Sequence, residues 1–246
     1  MKRLLALVYG LAAYAISLAT TLYAVGFIGN LLVPKTLDSE PHAPWAQALL
    51  VNLLLLLVFA LQHSVMARPG FKRVWTRVVP EPLERSTYVL ASSLALMLLF
   101  WLWQPMGGTV WRVQDPVGQA LLYGLYALGW LVVLGSTYAI NHWDLFGLRQ
   151  VYYYWRNAPR PSIPFTVPGP YRYVRHPLYL GWLLAFWAAP TMTLAHLVFA
   201  AGTTLYILVA IRFEERDLIS FFGDSYRQYR TRVAMIIPLP GKTLRR

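Results

Sequence analysis

Residues 177–211 read PLYLGWLLAFWAAPTMTLAHLVFAAGTTLYILVAI, without a single acidic or basic side chain other than His196. A helix rises about 1.5 Å per residue and the hydrocarbon core of a bilayer is about 30 Å thick, so some 20 apolar residues cross it once. This run is too long for one crossing helix. Near its middle stands Ala-Ala-Pro-Thr at 188–191, where Pro190 removes a backbone donor and disfavours helix at Ala189. The segment therefore reads as a hairpin of two short helices, 177–189 and 194–211, that turns at or near the outer face of the membrane. Both ends then return to the same side.

Four more apolar runs precede it, at residues 4–28, 45–67, 87–103 and 117–140. Only 13% of the 246 residues are charged, about half the share in an ordinary soluble domain. The first run lacks a small-residue cleavage site leading into a soluble domain, so it reads as a span and not as a signal peptide. The expected fold is all-α: a polytopic membrane bundle of four full spans, a C-terminal broken helical hairpin and a cytoplasmic amphipathic tail. Residues 1–140 supply the spans, and 141–246 the loop, hairpin and tail, in one integrated domain. No internal repeat or low-complexity segment is visible.

A net charge of +12 suggests nucleic acid until it is mapped along the chain. One side of the bundle takes Lys2 and Arg3, then Arg68, Lys72, Arg73, Arg77 and Arg85, then Arg149, Arg156, Arg160, Arg172 and Arg175, and finally all eight basic residues after Ile211. Lys35 and Arg112 alone fall on the other. The positive-inside rule places both termini in the cytoplasm. Topology explains the charge, and no nucleic-acid partner is needed.

The chain has no cysteine, which removes thiolate nucleophiles, disulfides and cysteine-held metals. It carries no P-loop and no G-x-G-x-x-G fingerprint. Of the five histidines, His63, His142 and His176 each lie at the basic end of a different span. None has the paired helical spacing of a zinc motif, so no metal is expected. Glu214, Glu215, Asp217 and Asp224 follow the last apolar run, and Asp144 follows the fourth span. Most ionisable groups therefore converge on one membrane face.

Just before the hairpin lies GPYRYVRHPLYLG, residues 169–181. Pro168, Gly169 and Pro170 exclude regular helix, and Pro177 suits the first turn of one. Free backbone donors at that helix start favour an anionic group. Arg172, Arg175 and His176 add donors, Tyr171, Tyr173 and Tyr179 add flat faces, and Glu214 and Glu215 stand at the other end of the hairpin. A carboxylate, a planar base, a ribose and a cation together describe S-adenosylmethionine.

That segment, with RFEERDL at 212–218 and FFGDSYRQYRTRVAMIIP at 221–238, resembles the isoprenylcysteine carboxyl methyltransferase family. The family shows R-H-P-x-Y-x-G, a hairpin, E-E-x-x-L, and F-G-x-x-Y-x-x-Y before a proline. The resemblance covers about the last 80 residues. It implies S-adenosylmethionine between the loop and the paired glutamates, held by Tyr171, Arg175, His176, Tyr179, Glu214 and Glu215 with help near Phe165 and Thr166. In the prenylcysteine enzymes an arginine one turn before the first glutamate serves the substrate carboxylate. Here that position is Ala210, which speaks against a carboxylate acceptor.

Upstream, QHSVMARPGFK at 62–72, ERSTYVL at 84–90 and NHWDLFGLRQVY at 141–152 resemble the family of bacterial methanethiol S-methyltransferases. This second resemblance implies a small volatile thiol as acceptor and dimethyl sulfide as product, with the lipid bilayer as the setting. An alkanethiol has a pKa of roughly 10, against ~8.5 for cysteine, so a base is needed near neutrality. His63 and His142 are the candidates, the latter oriented by Asp144, while Arg85 or Arg149 stabilising the thiolate is the alternative. Other readings stay open: a lipid methyltransferase, an NADPH-dependent sterol reductase relative, and a non-enzymatic membrane protein of nitrite and nitric oxide metabolism. The sequence fixes no oligomeric state.

Overall fold

The computed structural model describes residues 1–162 and 164–244; Arg245 and Arg246, the last of the basic tail residues, lie outside the described residues. The helices are α1 Lys2–Gly29, α2 Trp45–Ala67, α3 Pro69–Trp75, α4 Glu81–Leu102, α5 Pro116–Ile140, α6 His142–Leu145, α7 Leu148–Arg156, α8 Pro177–Trp187, α9 Leu194–Phe222 and α10 Asp224–Arg232. Two short strands, β1 Thr109–Arg112 and β2 Thr191–Thr193, form a two-stranded sheet. Helices α1, α2, α4, α5 and α9 are long and apolar enough to cross a membrane, and α8 is a shorter apolar helix. The all-α polytopic bundle is thus the observed architecture.

Two elements differ from the sequence expectation, for one reason. Helix α9 does not stop at Ile211 but runs 29 residues to Phe222. Charge ended the apolar run there, yet Arg, Glu and Leu are strong helix formers. The helix breaks only at Gly223, whose φ of 59° lies where glycine is at home. Glu214 and Glu215 therefore sit on the last turns of a helix, not in a segment beyond it. In the same way α4 starts at Glu81, ahead of its apolar run, with Pro82 in the first turn.

The chain forms two compact units. The first comprises Met1–Val110, His142–Pro161 and Met192–Phe199. Within it α1 packs on α4 and α7, and α4 on α2. Its apolar core holds Phe27, Leu37, Leu99 and Trp103, all fully buried. Asp38 anchors the loop after α1: His196 Nδ1 lies 3.2 Å from its carboxylate, and Thr193 Oγ1 and Asn30 Nδ2 both donate to it.

The second unit comprises Trp111–Asn141, Ser162–Thr191 and Ala200–Arg246. Its main contact is α5 against α8. A Cβ on Gly129 would stand 2.7 Å from Ala185 N and 2.8 Å from Gly181 O. One on Gly181 would stand 2.7 Å from Gly129 O and 2.8 Å from Val133 N. The backbones touch, and close approach of this kind is how membrane helices gain dispersion energy without a hydrophobic drive between them. This crossing fixes where α8, and the loop leading into it, can lie.

Two outcomes are expected. Gly135→Ala, at a position with nothing within 4 Å, should leave the thermal midpoint in detergent unchanged or slightly higher, since alanine is the better helix former. Gly129→Ala should lower stability by about 1–3 kcal/mol, because the clash is with backbone that cannot yield. The second outcome concerns pH. Burial pushes Asp38 up, but His196, Thr193 and Asn30 outweigh it and hold the carboxyl below its ordinary value. That stability is present above the ordinary carboxylate range and is lost as pH falls through the lowered folded value. Asp38→Asn should therefore reduce the midpoint at neutral pH and flatten its decline below about pH 4.

Candidate functional site

In the second unit, one turn of 3-10 helix, Gly169–Arg172, follows the proline-rich loop and leads through an isolated bridge between Val174 and Ala234 to α8. The N–H groups of Arg175 and His176 donate to the carbonyls of Ala234 and Met235, at 2.8 and 3.0 Å. The chain after α10 thus lies alongside the RH of the RHP motif and holds it extended. Pro177 then opens α8 at its first position.

Glu215 is the centre of this arrangement. Arg175 Nε donates to its Oε1 at 2.7 Å, His176 Nε2 lies 3.2 Å from the same oxygen, and Arg230 lies 3.8 Å from Oε2. Arg175 also donates to the carbonyls of Arg230 and Val233. Glu215 is only 8% exposed and His176 only 4%. Glu214 is placed differently: its side chain is 43% exposed, its Oε2 accepts from Tyr179 at 2.9 Å, and His176 Nδ1 lies 3.7 Å away. The two adjacent acids have separate surroundings, one locked among cations and the other facing out.

Aromatic groups complete this half. Phe165 packs against Phe222, Tyr226 and Tyr229 at ring distances of 5.1, 6.1 and 5.7 Å. Tyr229 donates to the Tyr171 carbonyl at 2.6 Å. Burial pushes the phenols of Tyr171, Tyr226 and Tyr229 well up, and neighbouring glutamates add to it. They stay protonated donors at any ordinary pH. Thr166 is exposed beside them. Structure therefore gathers Phe165, Tyr171, Arg175, His176, Tyr179, Glu214 and Glu215 in one unit, with Arg175 and Glu215 spent on each other.

The remaining candidates lie in the first unit. His63, on the last turns of α2, has Nε2 at 2.8 Å from the Tyr88 hydroxyl and Nδ1 at 3.1 Å from Ser92 Oγ. The Arg85 guanidinium stacks 4.9 Å over the Tyr88 ring, and its Nε donates to Leu145 O at 2.6 Å. Tyr88 thereby links His63 and Arg85. His142 has Nε2 at 2.9 Å from the Tyr14 hydroxyl, inside an aromatic group with Trp143 and Phe146. Burial lowers its pKa, so its imidazole is neutral at neutral pH. Asp144 shares the short helix α6 with His142, and its carbonyl accepts from Gln150. Arg149 donates to Pro161 O and lies over the Tyr153 ring.

Sequence reasoning missed Tyr88, Ser92 and Tyr14. Tyr88 had a signal: it follows Arg85 by three residues, one helical turn, so both share a face. Tyr14 had none, lying within an apolar run. Among the described residues no group of three or more His, Asp or Glu is placed to hold a metal ion.

The family model described as NnrU protein matches residues 51–237. Methanethiol S-methyltransferase of Crocosphaera subtropica is 56% identical over 98% of this chain and 95% of its own length. The protein of that name from Mycobacterium tuberculosis is 55% identical over 98% and 99%. Methanethiol S-methyltransferase 1 of Bradyrhizobium diazoefficiens is 51% identical over 96% and 83%. No solved structure matches the chain.

The unequal settings of the two glutamates lead to unequal expectations. Glu215→Ala leaves the largely covered Arg175 guanidinium without its counter-charge and the buried His176 ring without its carboxylate partner, so the thermal midpoint should fall by the equivalent of about 3 kcal/mol. Glu214→Ala removes a half-exposed acid and should leave the ligand-free midpoint within about 0.5 kcal/mol of the parent. Differential scanning fluorimetry in detergent distinguishes the two.

Proposed function

The chain belongs to the NnrU protein family and to the family of the methanethiol S-methyltransferases, and from that premise we propose that it methylates methanethiol to dimethyl sulfide with S-adenosylmethionine. The observation that carries this is the likeness to relatives of that name, about half of all residues over nearly the whole chain. That the chain is an integral-membrane methyltransferase follows from those relatives and its five membrane-length helices. The donor, the acceptor and the roles below are our reading.

The residues of the second unit fit the donor. Glu214 offers a carboxylate engaged through one oxygen and open to solvent, suited to a ribose diol or a cationic centre. Tyr171, Tyr179 and His176 offer flat faces, and the N-terminal turn of α8 offers backbone N–H groups to a carboxylate. When bound, S-adenosylmethionine supplies a methyl carbon on a positively charged sulfur, open to in-line attack by a thiolate. The chain's own task is then to hold the donor and to deprotonate the acceptor.

For the proton we assign His63 as acceptor and Arg85 as the charge that steadies the thiolate, because Tyr88 joins the two. Histidine and arginine then act together instead of standing as alternatives. His142, Asp144 and Arg149 are assigned to positioning, through α6 and α7. The basic end of the bundle is cytoplasmic in this reading, by the positive-inside rule, and S-adenosylmethionine is met there. Methanethiol, small and apolar, enters through the lipid of the bacterial inner membrane.

Purified protein supplied with methanethiol and S-adenosylmethionine should release dimethyl sulfide into the headspace, with one S-adenosylhomocysteine per molecule. Cofactor binding without dimethyl sulfide would point to a lipid acceptor instead. His63→Ala should lower kcat about 10²–10³-fold at pH 7. The deficit should shrink as pH rises toward 10, where the thiol ionises unaided. A deficit that is constant from pH 6 to pH 10 would remove His63 from the proton's path.

A further inference from the structure

Tyr226 stands on the first turn of α10 and is 3% exposed. Its ring packs 5.6 Å from Tyr229 and 6.1 Å from Phe165, within an apolar cluster that includes Val233, Leu218 and Phe222. A phenylalanine would serve that packing as well. Tyrosine brings a hydroxyl besides, and among the described residues this hydroxyl has no hydrogen-bond partner. Burial without a partner is costly for a hydroxyl, and native proteins seldom leave such a group idle.

Its neighbour shows the contrast. Tyr229, in the same cluster, donates to the Tyr171 carbonyl at 2.6 Å, so its hydroxyl is part of the fold. That of Tyr226 is not. The charges that bear on it are Glu215, Glu214 and Arg175, so it shares the surroundings of the acid pair on α9. Burial first, and both acids after it, keep the phenol protonated. The hydroxyl is a neutral group that can donate one hydrogen bond and accept another, on a ring packed against Phe165 and Tyr229.

We propose that the Tyr226 hydroxyl is a ligand-binding group of the same site, making a hydrogen bond to the polar part of the adenosyl cofactor next to Glu214. This rests on the reading of the second unit as the cofactor site. A hydroxyl that gives nothing to the fold and one bond to the ligand has a distinctive signature. It can be removed without harm to the empty protein, and the loss appears only when ligand is added.

The test uses full-length protein in detergent, with Tyr226→Phe and Tyr229→Phe side by side. Without ligand, Tyr226→Phe should keep or slightly raise the thermal midpoint, whereas Tyr229→Phe should lower it. Calorimetry with S-adenosylhomocysteine should show Tyr226→Phe binding about 2- to 12-fold more weakly, the weight of one neutral hydrogen bond. In turnover, KM for S-adenosylmethionine should rise by a similar factor while KM for methanethiol stays unchanged. Unaltered affinity in Tyr226→Phe, with the parent protein binding normally, overturns this proposal and leaves the cofactor site standing. A ligand-free midpoint lowered as far as in Tyr229→Phe overturns it too, since the hydroxyl would then belong to the fold. No binding by the parent protein overturns the cofactor reading itself, and this proposal with it.

Discussion

The carboxylate of Glu215 is buried at the end of an apolar helix, where an unpaired negative charge would be expelled or neutralised. Its partners come from the two residues before Pro177: the Arg175 guanidinium at 2.7 Å and the His176 ring at 3.2 Å. Arg175 in turn reaches the carbonyls of Arg230 and Val233. One acid thereby ties together the loop ahead of α8, the last turns of α9 and the chain leaving α10. Buried ion pairs contribute little net stability on average, but losing one partner is costly. The pairing adds a charged clamp to segments that the Val174–Ala234 bridge and the hydrogen bond from Tyr229 to the Tyr171 carbonyl also join.

The rest of the second unit builds on that clamp. Successive helical residues point about 100° apart, so fixing Glu215 inward turns Glu214 toward the open side. Tyr179, one turn into α8, then meets Glu214, and the glycine contact of α5 with α8 holds that helix in place. The first unit has its own arrangement, in which Tyr88 and Ser92 hold His63 and Tyr14 holds His142. Each histidine is fixed by a hydroxyl from another helix, which sets its ring orientation.

Much of this was legible in the sequence, where hydropathy is the deciding quantity. Apolar runs marked the long helices, and Pro190 marked the turn of the hairpin. Hydropathy failed where charge and helix part company, as at Arg212, beyond which α9 continues to Phe222. The residues proposed to hold the cofactor came from the family resemblance, but their division of labour did not. Nothing in EE at 214–215 says which acid is buried, because that depends on the phase of α9 against the loop before α8. Tyr14 and His142 are 128 positions apart, and no local pattern reports a contact at that separation. Gly129 and Gly135 likewise look alike in sequence, although only the first touches another backbone.

Ultraviolet crosslinking of radiolabelled S-adenosylmethionine to the intact protein, followed by mapping of the labelled peptides, addresses the site most directly. Label should fall on peptides that carry residues 165–179 and 214–229, and excess S-adenosylhomocysteine should abolish it. Competable label confined to peptides from the first 110 residues would contradict a cofactor site built on the Glu215 clamp.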